Sequence, residues 1–405
     1  MTAAKAPTRG EVQVALGLTA ALLFGVVVLL TAVFDGARRF DFSSFYTAGV
    51  IIRQGNGPKL YDLGEQAQIE RQLFHRENPL IYLHPPFEAL GFAALARLSY
   101  VQAYVLWGAI NVLLWLFFQH LQRPYTPIPR NSIRYFWLCS LFFPFWVALF
   151  QGQTSVLLLL LFSLTFVCLK RGQDFRAGVF LGLGLGKFAL VLPFALICLL
   201  RSKWRLMAGF AVAASSLGIL SLIAVGPAGV RSYTNLLIDT VRNPDNPIYR
   251  TINAGAMPNV KGVFVTLLGG RLSTAYISVL AAAVSAPLVF FVAWRWRQED
   301  KGRGRNTTGL MFAAALVVSL ITAPYLFMSD LTLMLLAVLL VIGSSPWSEK
   351  SGQRVVLTAI MVMLYCPPLY VLLLERQAIS ILVPVLGAFA LAASSLARKP
   401  ELPLT

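Results

Sequence analysis

Residues 34–85 read FDGARRFDFSSFYTAGVIIRQGNGPKLYDLGEQAQIERQLFHRENPLIYLHP and interrupt an otherwise almost continuously apolar sequence. The stretch holds six acidic and six basic side chains. Charged groups at that density cannot lie in hydrocarbon, because the bilayer core offers them no water. The stretch is therefore predicted to lie on one face of a membrane, directly after the first hydrophobic run, and the rest of the chain is organised around it.

The composition is that of a polytopic membrane protein. Of the 405 residues, 57% are hydrophobic and 13% are charged, and the mean hydropathy is +0.70, far outside the range of soluble globular proteins. The net charge of +17 comes from short basic clusters between apolar runs, as in cytoplasmic loops. Membrane orientation therefore explains the charge, and no nucleic-acid partner is expected. The four cysteines all fall in apolar runs, which indicates neither a disulfide framework nor a metal cluster.

Charges at the ends of the apolar runs predict the topology. Residues 12–33 resemble a retained signal anchor, and Lys5 and Arg9 before them predict a cytoplasmic N-terminus. The stretch 34–85 is then external, and the C-terminus is cytoplasmic. We expect about twelve crossings of the bilayer, formed by residues 12–33, 101–121, 135–150, 154–169, two half-helices within 177–200, 206–225, 272–294, 308–323, 331–342, 355–370 and 379–396.

Two long external loops, residues 34–99 and 226–271, are expected within a single membrane domain of residues 1–405. Residues 87–98 are too short to cross the bilayer and are predicted to form an interfacial helix in the first loop. The second loop is dominated by proline, asparagine and glycine. We therefore expect it to be turn-rich and irregular.

The segment 177–200 has basic clusters at both ends. If both ends are cytoplasmic, the segment must be a hairpin of two short half-helices, with Gly184, Gly186 and Lys187 near its outer tip. The same length would also suit a single span, so the sequence leaves both forms open.

Asp41 is the strongest candidate for a chemical role in the first loop. It lies in FDFSSFYTAG, between aromatic residues, with Ser43, Ser44 and Tyr46 as local hydrogen-bonding partners. A carboxylate at a membrane surface suits a general base that takes a proton from a sugar hydroxyl. A helix cap or a solvated surface charge is the alternative.

An ordered series of motifs is similar to that of glycosyltransferase family 87. The series comprises Asp-Phe-x-x-Phe-Tyr-x-Ala-Gly at Asp41, Gly-x-x-Leu-Tyr-Asp at Gly57 to Asp62, Tyr82-Leu-His-Pro-Pro-Phe-Glu-Ala-Leu, Gly152-Gln153, Gly-x-Gly-Lys187 with Pro193 and Arg201-Ser-Lys-Trp-Arg, and Ala323-Pro-Tyr-Leu with Asp330-Leu. Each motif alone is weak, and their order along most of the chain carries the resemblance.

This resemblance implies an all-α, GT-C-like membrane bundle. It also implies transfer of a sugar, mannose or another hexose or pentose, from a polyprenyl-phosphate donor to a glycan or glycolipid acceptor in the cell envelope. In such enzymes an acidic residue of the first external loop serves as the base, and Asp41 matches that position. Direct displacement with inversion follows from the resemblance. The enzyme then contributes proximity and stabilisation of the departing phosphate.

Basic residues are candidates for binding the donor phosphate. Lys187 lies in an apolar, glycine-rich run, where an ammonium group is costly unless it meets an anion. The alternative for Lys187 is a lysine that extends from a helix end to the interface. Arg231, Arg250 and Lys261 in the second external loop are further candidates, each of which could instead face solvent or lipid headgroups.

A group of polar residues is expected to bind the sugar or the acceptor. Several have structural alternatives: Asp62 could shape a turn, and the two glutamines could cap a helix. Asp62 is also the reserve candidate for the base. For Asp330 the resemblance implies a His-Asp pair, whereas Ser329 precedes it here. The candidates are Tyr46, Asp62, His84, Gln151, Gln153, Asn253 and Asp330.

Other functions remain open from the sequence. No metal is expected, because there are three histidines and no Asp-x-Asp motif, which also argues against a nucleotide-sugar donor. A lipid-linked sugar flippase or a small-solute transporter would also be hydrophobic and basic. Transporters, however, usually carry broken or charged segments in both halves. A noncatalytic assembly partner would be expected to lack the base, and Asp41 is present.

Overall fold

The computed structural model describes residues 41–75, 80–128, 133–243, 246, 254–301, 308–344 and 352–397. Within these ranges the secondary structure is helical, apart from an isolated bridge between Gly269 and Leu272. The prediction of an all-α membrane protein is confirmed. The α-helices of these ranges are α1 Phe42–Arg53, α2 Leu63–Phe74, α3 Pro86–Leu95, α4 Tyr100–Gln122, α5 Ile133–Ser140, α6 Phe143–Gln151, α7 Ser155–Lys170, α8 Asp174–Leu183, α9 Phe188–Leu200, α10 Trp204–Arg242, α11 Val260–Leu268, α12 Thr274–Lys301, α13 Thr308–Thr322, α14 Met334–Ser344, α15 Gly352–Leu364, α16 Pro367–Glu375 and α17 Leu382–Leu396.

Five stretches of the described chain are long and apolar enough to cross a bilayer, or seven if each of two bent helix pairs counts as one span. The bent pairs are α5 with α6, at 60°, and α15 with α16, at 70°. In both pairs the second helix has proline in its first turn, where the missing N–H group costs nothing. The chain is a multi-pass membrane protein, while the expected number of twelve crossings is not confirmed. The predicted first span, 12–33, lies outside the described residues.

One of the five stretches, Asp174–Leu200, folds back on itself at a 3₁₀ turn, Gly184–Lys187. Along α7, Lys187 meets Ser155 at 3.0 Å, the Thr165 hydroxyl lies 3.4 Å from the Ala177 carbonyl, and the rings of Phe162 and Phe194 are 5.2 Å apart. If the chain continued in a straight line past Lys187, Phe194 and Phe162 would lie on opposite sides of the Lys187 level. Their rings would then be roughly 20 Å apart along the helix axis, at a rise of 1.5 Å per residue. Helices α8 and α9 therefore form a hairpin, with Lys187 at its tip.

The base of this hairpin joins α12 at the far end of the bundle. Arg201, which follows α9, donates to Asp300 at 2.8 Å, and its guanidinium lies 3.4 Å from the centre of the Trp296 ring. Lys203 lies 3.7 Å from the same carboxylate. This basic cluster and the hairpin tip are thus separated by the length of α9.

The described residues of the first predicted external loop, 34–99, contain three α-helices, α1, α2 and α3. Phe45 of α1 stacks on Phe92 of α3 at 4.8 Å, and a Cβ on Gly49 would lie 2.4 Å from the Phe92 carbonyl oxygen, so only glycine permits this crossing. The short helix expected within 87–98 is present as α3, which begins at Pro86. Gly57 contacts the Ala224 carbonyl of α10 and so fixes this helical segment to the bundle.

The expectation of an irregular second loop is wrong for two parts of residues 226–271. Gly226, with φ 65° and ψ 177°, interrupts the helix, but Pro227 starts a further helical stretch that continues to Arg242. Proline is well suited to a first helical turn, so here it restarts the helix after the break. A second helix, α11, is capped by Asn259, whose side chain accepts from the Gly262 N–H at 2.7 Å.

The core and the lipid-facing surface are clearly separated. Helices α13 and α14 are buried along almost their whole length. They are enclosed by other helices, so their apolar side chains pack on protein rather than on lipid. In contrast, α4, α10 and α12 expose large apolar side chains, including Leu113, Ile223 and Val279. Such outward apolar faces suit contact with lipid tails.

Candidate active site

A cavity of about 200 Å³ lies at the end of the bundle where α1 begins, where α7 begins and where the hairpin turns. Its apolar wall includes Phe45, Leu83, Phe188 and Leu237. Polar side chains converge on it from segments far apart in the sequence. They are Asp41, Ser44, His84, Gln153, Lys187, Thr240, Tyr325 and Asp330.

Asp41 occupies the position before α1 but its side chain makes no capping hydrogen bond there. Its backbone carbonyl accepts instead from the Ser44 N–H at 3.0 Å and the Ser44 hydroxyl at 2.8 Å. The carboxylate accepts from Gln153, whose Nε2 lies 2.6 Å from Oδ2. The alternative of a helix-capping side chain therefore does not describe Asp41.

Gln153 reaches Asp41 because of the turn that precedes it. Gly152 ends α6 with φ 63°, a left-handed conformation that favours glycine, and a Cβ there would lie 2.7 Å from the Cβ of Phe42. The Gly152 carbonyl accepts from the Trp107 indole N–H at 2.8 Å. The turn is thus fixed between α4 and α1, and it directs Gln153 towards the start of α1.

Lys187 lies at the hairpin tip with an almost buried side chain, 8% exposed. Its Nζ donates to Gln153 Oε1 at 2.9 Å, Ser155 Oγ at 3.0 Å and Asp330 Oδ1 at 2.6 Å. An ammonium group has three N–H donors, so all of them are used. The anion that Lys187 meets in this structure is a carboxylate of the same chain.

Asp330 lies in the 3₁₀ helix Met328–Leu333 and its side chain is 3% exposed. Besides Lys187, its Oδ1 accepts from Ser155 Oγ at 2.8 Å, and its Oδ2 accepts from the Phe327 N–H at 3.1 Å. A buried carboxylate with this many partners is held in one orientation. The neighbouring Ser329, where the family resemblance implied histidine, has a buried hydroxyl without a hydrogen-bond partner among the described residues.

His84 faces the same cavity, with its ring 4.7 Å from that of Phe45. Its Nδ1 lies 2.7 Å from Glu88 Oε2, one turn along α3. A Cβ on Gly186 would lie 3.1 Å from the Glu88 carboxylate, so Glu88 packs directly against the hairpin tip. Glu88 and Ser155 were not candidates from the sequence, because neither stands out until the fold places it beside His84 or Lys187.

A second cavity of about 450 Å³ adjoins the first and is mostly apolar. Helices α3, α4, α7 and α8 form its walls, with side chains such as Trp107, Leu158 and Leu183. Gly186 and Lys187 line both cavities, and Glu88 lines the second. The hairpin tip is therefore the partition between a polar cavity and an apolar groove.

Several residues predicted from the sequence line neither cavity. The Tyr46 hydroxyl donates to the Leu98 carbonyl at 2.8 Å, and Asp62 caps α2 through the N–H groups of Gly64 and Glu65. Gln151 is the last residue of α6, and Arg231 is exposed on α10. Arg250 and Asn253 lie outside the described residues.

Lys261 lies just behind the polar cavity. Its Nζ is 5.4 Å from the centre of the Tyr325 ring, and Tyr325 lines the cavity. Burial lowers the pKa of Lys261 and raises the pKa of Tyr325. Within the described ranges, no group of three or more histidine, cysteine, aspartate or glutamate side chains could hold a metal ion.

Comparison with known proteins gives one family and one similar structure. The profile of Glycosyltransferase family 87 matches residues 82–324, which are 243 of the 405 residues. The crystal structure of ArnT from Cupriavidus metallidurans in the apo state is 16% identical, and the match covers 94% of this chain and 76% of that chain with a TM-score of 0.32. At that identity and TM-score the likeness assigns neither a fold nor a function. No curated protein matches the sequence.

Proposed function

Because the chain belongs to glycosyltransferase family 87 and is a membrane glycosyltransferase, we propose that it transfers a hexose or pentose, such as mannose, from a polyprenyl-phosphate donor. The acceptor is a glycan or glycolipid hydroxyl on the external membrane face, with inversion at the anomeric carbon. One observation carries this proposal. The Asp41 carboxylate lies in a polar cavity that shares its wall, at Lys187, with an apolar groove.

Asp41 is the general base of the proposed reaction. Its carboxylate takes the proton of the acceptor hydroxyl while that oxygen forms a bond to the anomeric carbon. The bond between the anomeric carbon and the phosphate oxygen breaks, and the polyprenyl phosphate leaves with the electron pair. Attack opposite the leaving group inverts the anomeric centre. Both substrates must be held in line, which the narrow polar cavity favours.

Lys187 is the cation proposed to stabilise the departing phosphate. It lines both cavities, so a donor with its lipid chain in the groove and its sugar in the polar cavity would have its phosphate there. Two of the three partners of Lys187, Gln153 and Ser155, are neutral, and Ser155 keeps a hydrogen bond to Asp330 at 2.8 Å when Lys187 turns away, just as Gln153 keeps its bond to Asp41. We propose that the phosphate replaces Ser155 and leaves the contacts with Gln153 and Asp330 intact.

The apolar groove suits the lipid chain of the donor. Its walls are mostly hydrocarbon, and Glu88 and Lys187 are its charged side chains. Burying a prenyl chain there contributes roughly 25 cal/mol for each Å² removed from water. A nucleotide-sugar donor would place a polar base and ribose in contact with the same walls, which offer few partners for hydrogen bonds.

The proposal is tested with purified protein in lipid nanodiscs, synthetic alkyl glycosides as acceptors, and radiolabelled polyprenyl-phosphate hexoses and pentoses. Nucleotide sugars serve as competing donors. We expect a new radiolabelled glycoside from at least one lipid-linked donor and none from the nucleotide sugars. Product from a nucleotide sugar alone would overturn the proposal. Protein-dependent movement of labelled polyprenyl-phosphate sugar across sealed vesicles, without any new glycoside, would identify the flippase alternative instead.

A further inference from the structure

We propose that Gln153 is a positioning residue that aims the Asp41 carboxylate and is itself oriented by the buried Lys187–Asp330 pair. This inference rests on the proposed function, because it gives Asp41 its role as base. It adds that the base depends on a chain of four side chains, in the order Asp330, Lys187, Gln153 and Asp41. Each member comes from a different segment of the fold.

Chemistry alone decides which way the Gln153 amide points. An ammonium group can only donate hydrogen bonds, so the atom 2.9 Å from Lys187 Nζ must be the amide oxygen. The amide nitrogen then faces Asp41 Oδ2 at 2.6 Å, where an ionised carboxylate can only accept. The reversed amide would set donor against donor at Lys187 and acceptor against acceptor at Asp41. Lys187 thereby determines the atom that Gln153 presents to the base.

The arrangement distinguishes the two oxygens of Asp41. Oδ2 is engaged by Gln153, whereas Oδ1 accepts no hydrogen bond from the part of the chain that the structure describes. We therefore assign proton abstraction to Oδ1. Gln153 is buried, 6% exposed, so water does not compete for its amide and the orientation of the carboxylate is fixed before substrate binds.

Lys187 is in turn held by a rigid partner. Asp330 keeps its orientation through Ser155 and the Phe327 N–H, at 2.8 and 3.1 Å. A shift of Asp330 would move the ammonium group, release the amide and free the Asp41 carboxylate to rotate. Misplacing a reacting group by about 1 Å can cost roughly 100-fold in rate.

Other ionisable groups face this chain from the elements packed around it. His84 and Glu88 approach from the start of α3, and Tyr325 from the loop before Asp330. Lys261 lies behind Tyr325. Any change in the ionisation of Asp41 must therefore be compared with variants that leave all of these groups in place.

Two variants of Gln153 test the inference, and Gln151→Glu is the matched control because Gln151 lines neither cavity. Gln153→Glu sets two carboxylates within hydrogen-bond distance, and such a pair retains a proton to higher pH. Gln153→Leu removes the donor to Asp41 without adding a charge. Both variants leave Lys187 paired with Asp330 at 2.6 Å, so the buried ammonium group keeps its counter-charge.

The first readout does not need turnover. A hydrophobic carbodiimide modifies protonated carboxyl groups, and mass spectrometry of the peptide containing Asp41 gives the pH of half-maximal labelling, with Asp41→Asn as the blank. Both Gln153 variants are expected to raise that pH by about one unit or more, because Gln153→Leu removes the hydrogen bond that favours the ionised form and Gln153→Glu adds a second negative charge beside it. Gln151→Glu is expected to match the unmodified protein. An unchanged labelling pH in Gln153→Leu would overturn the inference.

The second readout separates orientation from binding. In the transfer assay, Gln153→Leu is expected to lower kcat by about 10- to 100-fold with a nearly unchanged KM for the donor, since it misaims the base. Normal kcat in Gln153→Leu would contradict the positioning role while leaving the proposed function standing. Absence of transfer by the unmodified protein from every lipid-linked donor would contradict the proposed function, while the labelling shift would still test the hydrogen-bond chain.

Discussion

Replacing Lys187 by methionine is expected to lower the free energy of unfolding by about 3 kcal/mol, because it leaves the Asp330 carboxylate buried without a counter-charge. Both side chains are nearly inaccessible, 8% and 3% exposed, and their charged atoms lie 2.6 Å apart. Removing one partner of a buried pair costs about 3 to 5 kcal/mol. The lower end applies here, since Asp330 keeps its bonds to Ser155 and the Phe327 N–H.

A double-mutant cycle isolates the interaction. Asp330→Asn is expected to cost about 2 kcal/mol, since Lys187 keeps its two neutral acceptors, Gln153 and Ser155. The double variant, Lys187→Met with Asp330→Asn, is expected to cost about 3 kcal/mol rather than the sum of about 5 kcal/mol, because neither charge is then unpaired. The expected coupling energy is therefore about 2 kcal/mol.

The assay is unfolding of the purified protein by a denaturing detergent, followed by near-ultraviolet circular dichroism. Asp62→Asn is the control. Asp62 caps α2 at the surface, and asparagine caps a helix equally well, so this change is expected to leave the free energy of unfolding unchanged. If the two substitutions prove additive within about 0.5 kcal/mol, the pair does not interact in the protein. The hydrogen-bond chain would then lose its fixed end.

Two further substitutions test the groove and the turn before Gln153. Gly91 of α3 lines the apolar groove, and a Cβ there meets nothing within 4 Å, so Gly91→Phe fills the groove. This substitution is expected to raise the donor KM several-fold. Gly387→Phe is the control, because Gly387 of α17 is equally open. An unchanged KM would exclude the groove as the lipid site. Gly152→Ala, at φ 63°, is expected to cost about 1 to 3 kcal/mol in thermal unfolding and to slow transfer by displacing Gln153. Wild-type stability would show that the left-handed turn is not required.

The sequence singles out candidates for this cavity in two ways, by the cost of a charge in an apolar run and by the family resemblance. Lys187 stands in an apolar run, whereas Asp41, Gln153 and Asp330 belong to motifs of the resemblance. All four line the same cavity. The hairpin at 177–200 is one of the two forms that the sequence leaves open, and basic clusters at both ends favour it because they favour placing those ends on one membrane face. Charge is informative in this protein since so few positions carry it.

The sequence does not predict which of these residues pair. Lys187 and Asp330 are 143 positions apart, and Gln153 and Asp41 are 112 apart. Nothing local indicates that an intramolecular carboxylate, rather than a bound phosphate, is the partner that Lys187 meets here. Glu88 is likewise inconspicuous until α3 places it beside His84 at 2.7 Å.

Local composition also misleads in the second predicted loop. Proline, glycine and asparagine favour turns, yet the helix that Gly226 interrupts starts again at Pro227 after the bend and continues to Arg242. The helical stretch beyond the bend supplies Leu237 and Thr240 to the cavity wall. Packing of this stretch against the first helical segment, where the Tyr233 ring lies 4.6 Å from the Tyr61 ring, overrides the turn signal.

The central claim is that the Asp41 carboxylate is the base for glycosyl transfer. The most direct measurement compares initial rates of transfer from a polyprenyl-phosphate sugar by Asp41→Asn and Asp62→Asn, two identical chemical changes within the same helical segment. Loss of a general base is expected to slow Asp41→Asn by about 100-fold or more, with normal folding, while Asp62→Asn transfers at the unmodified rate. Equal rates for the two variants would contradict the account.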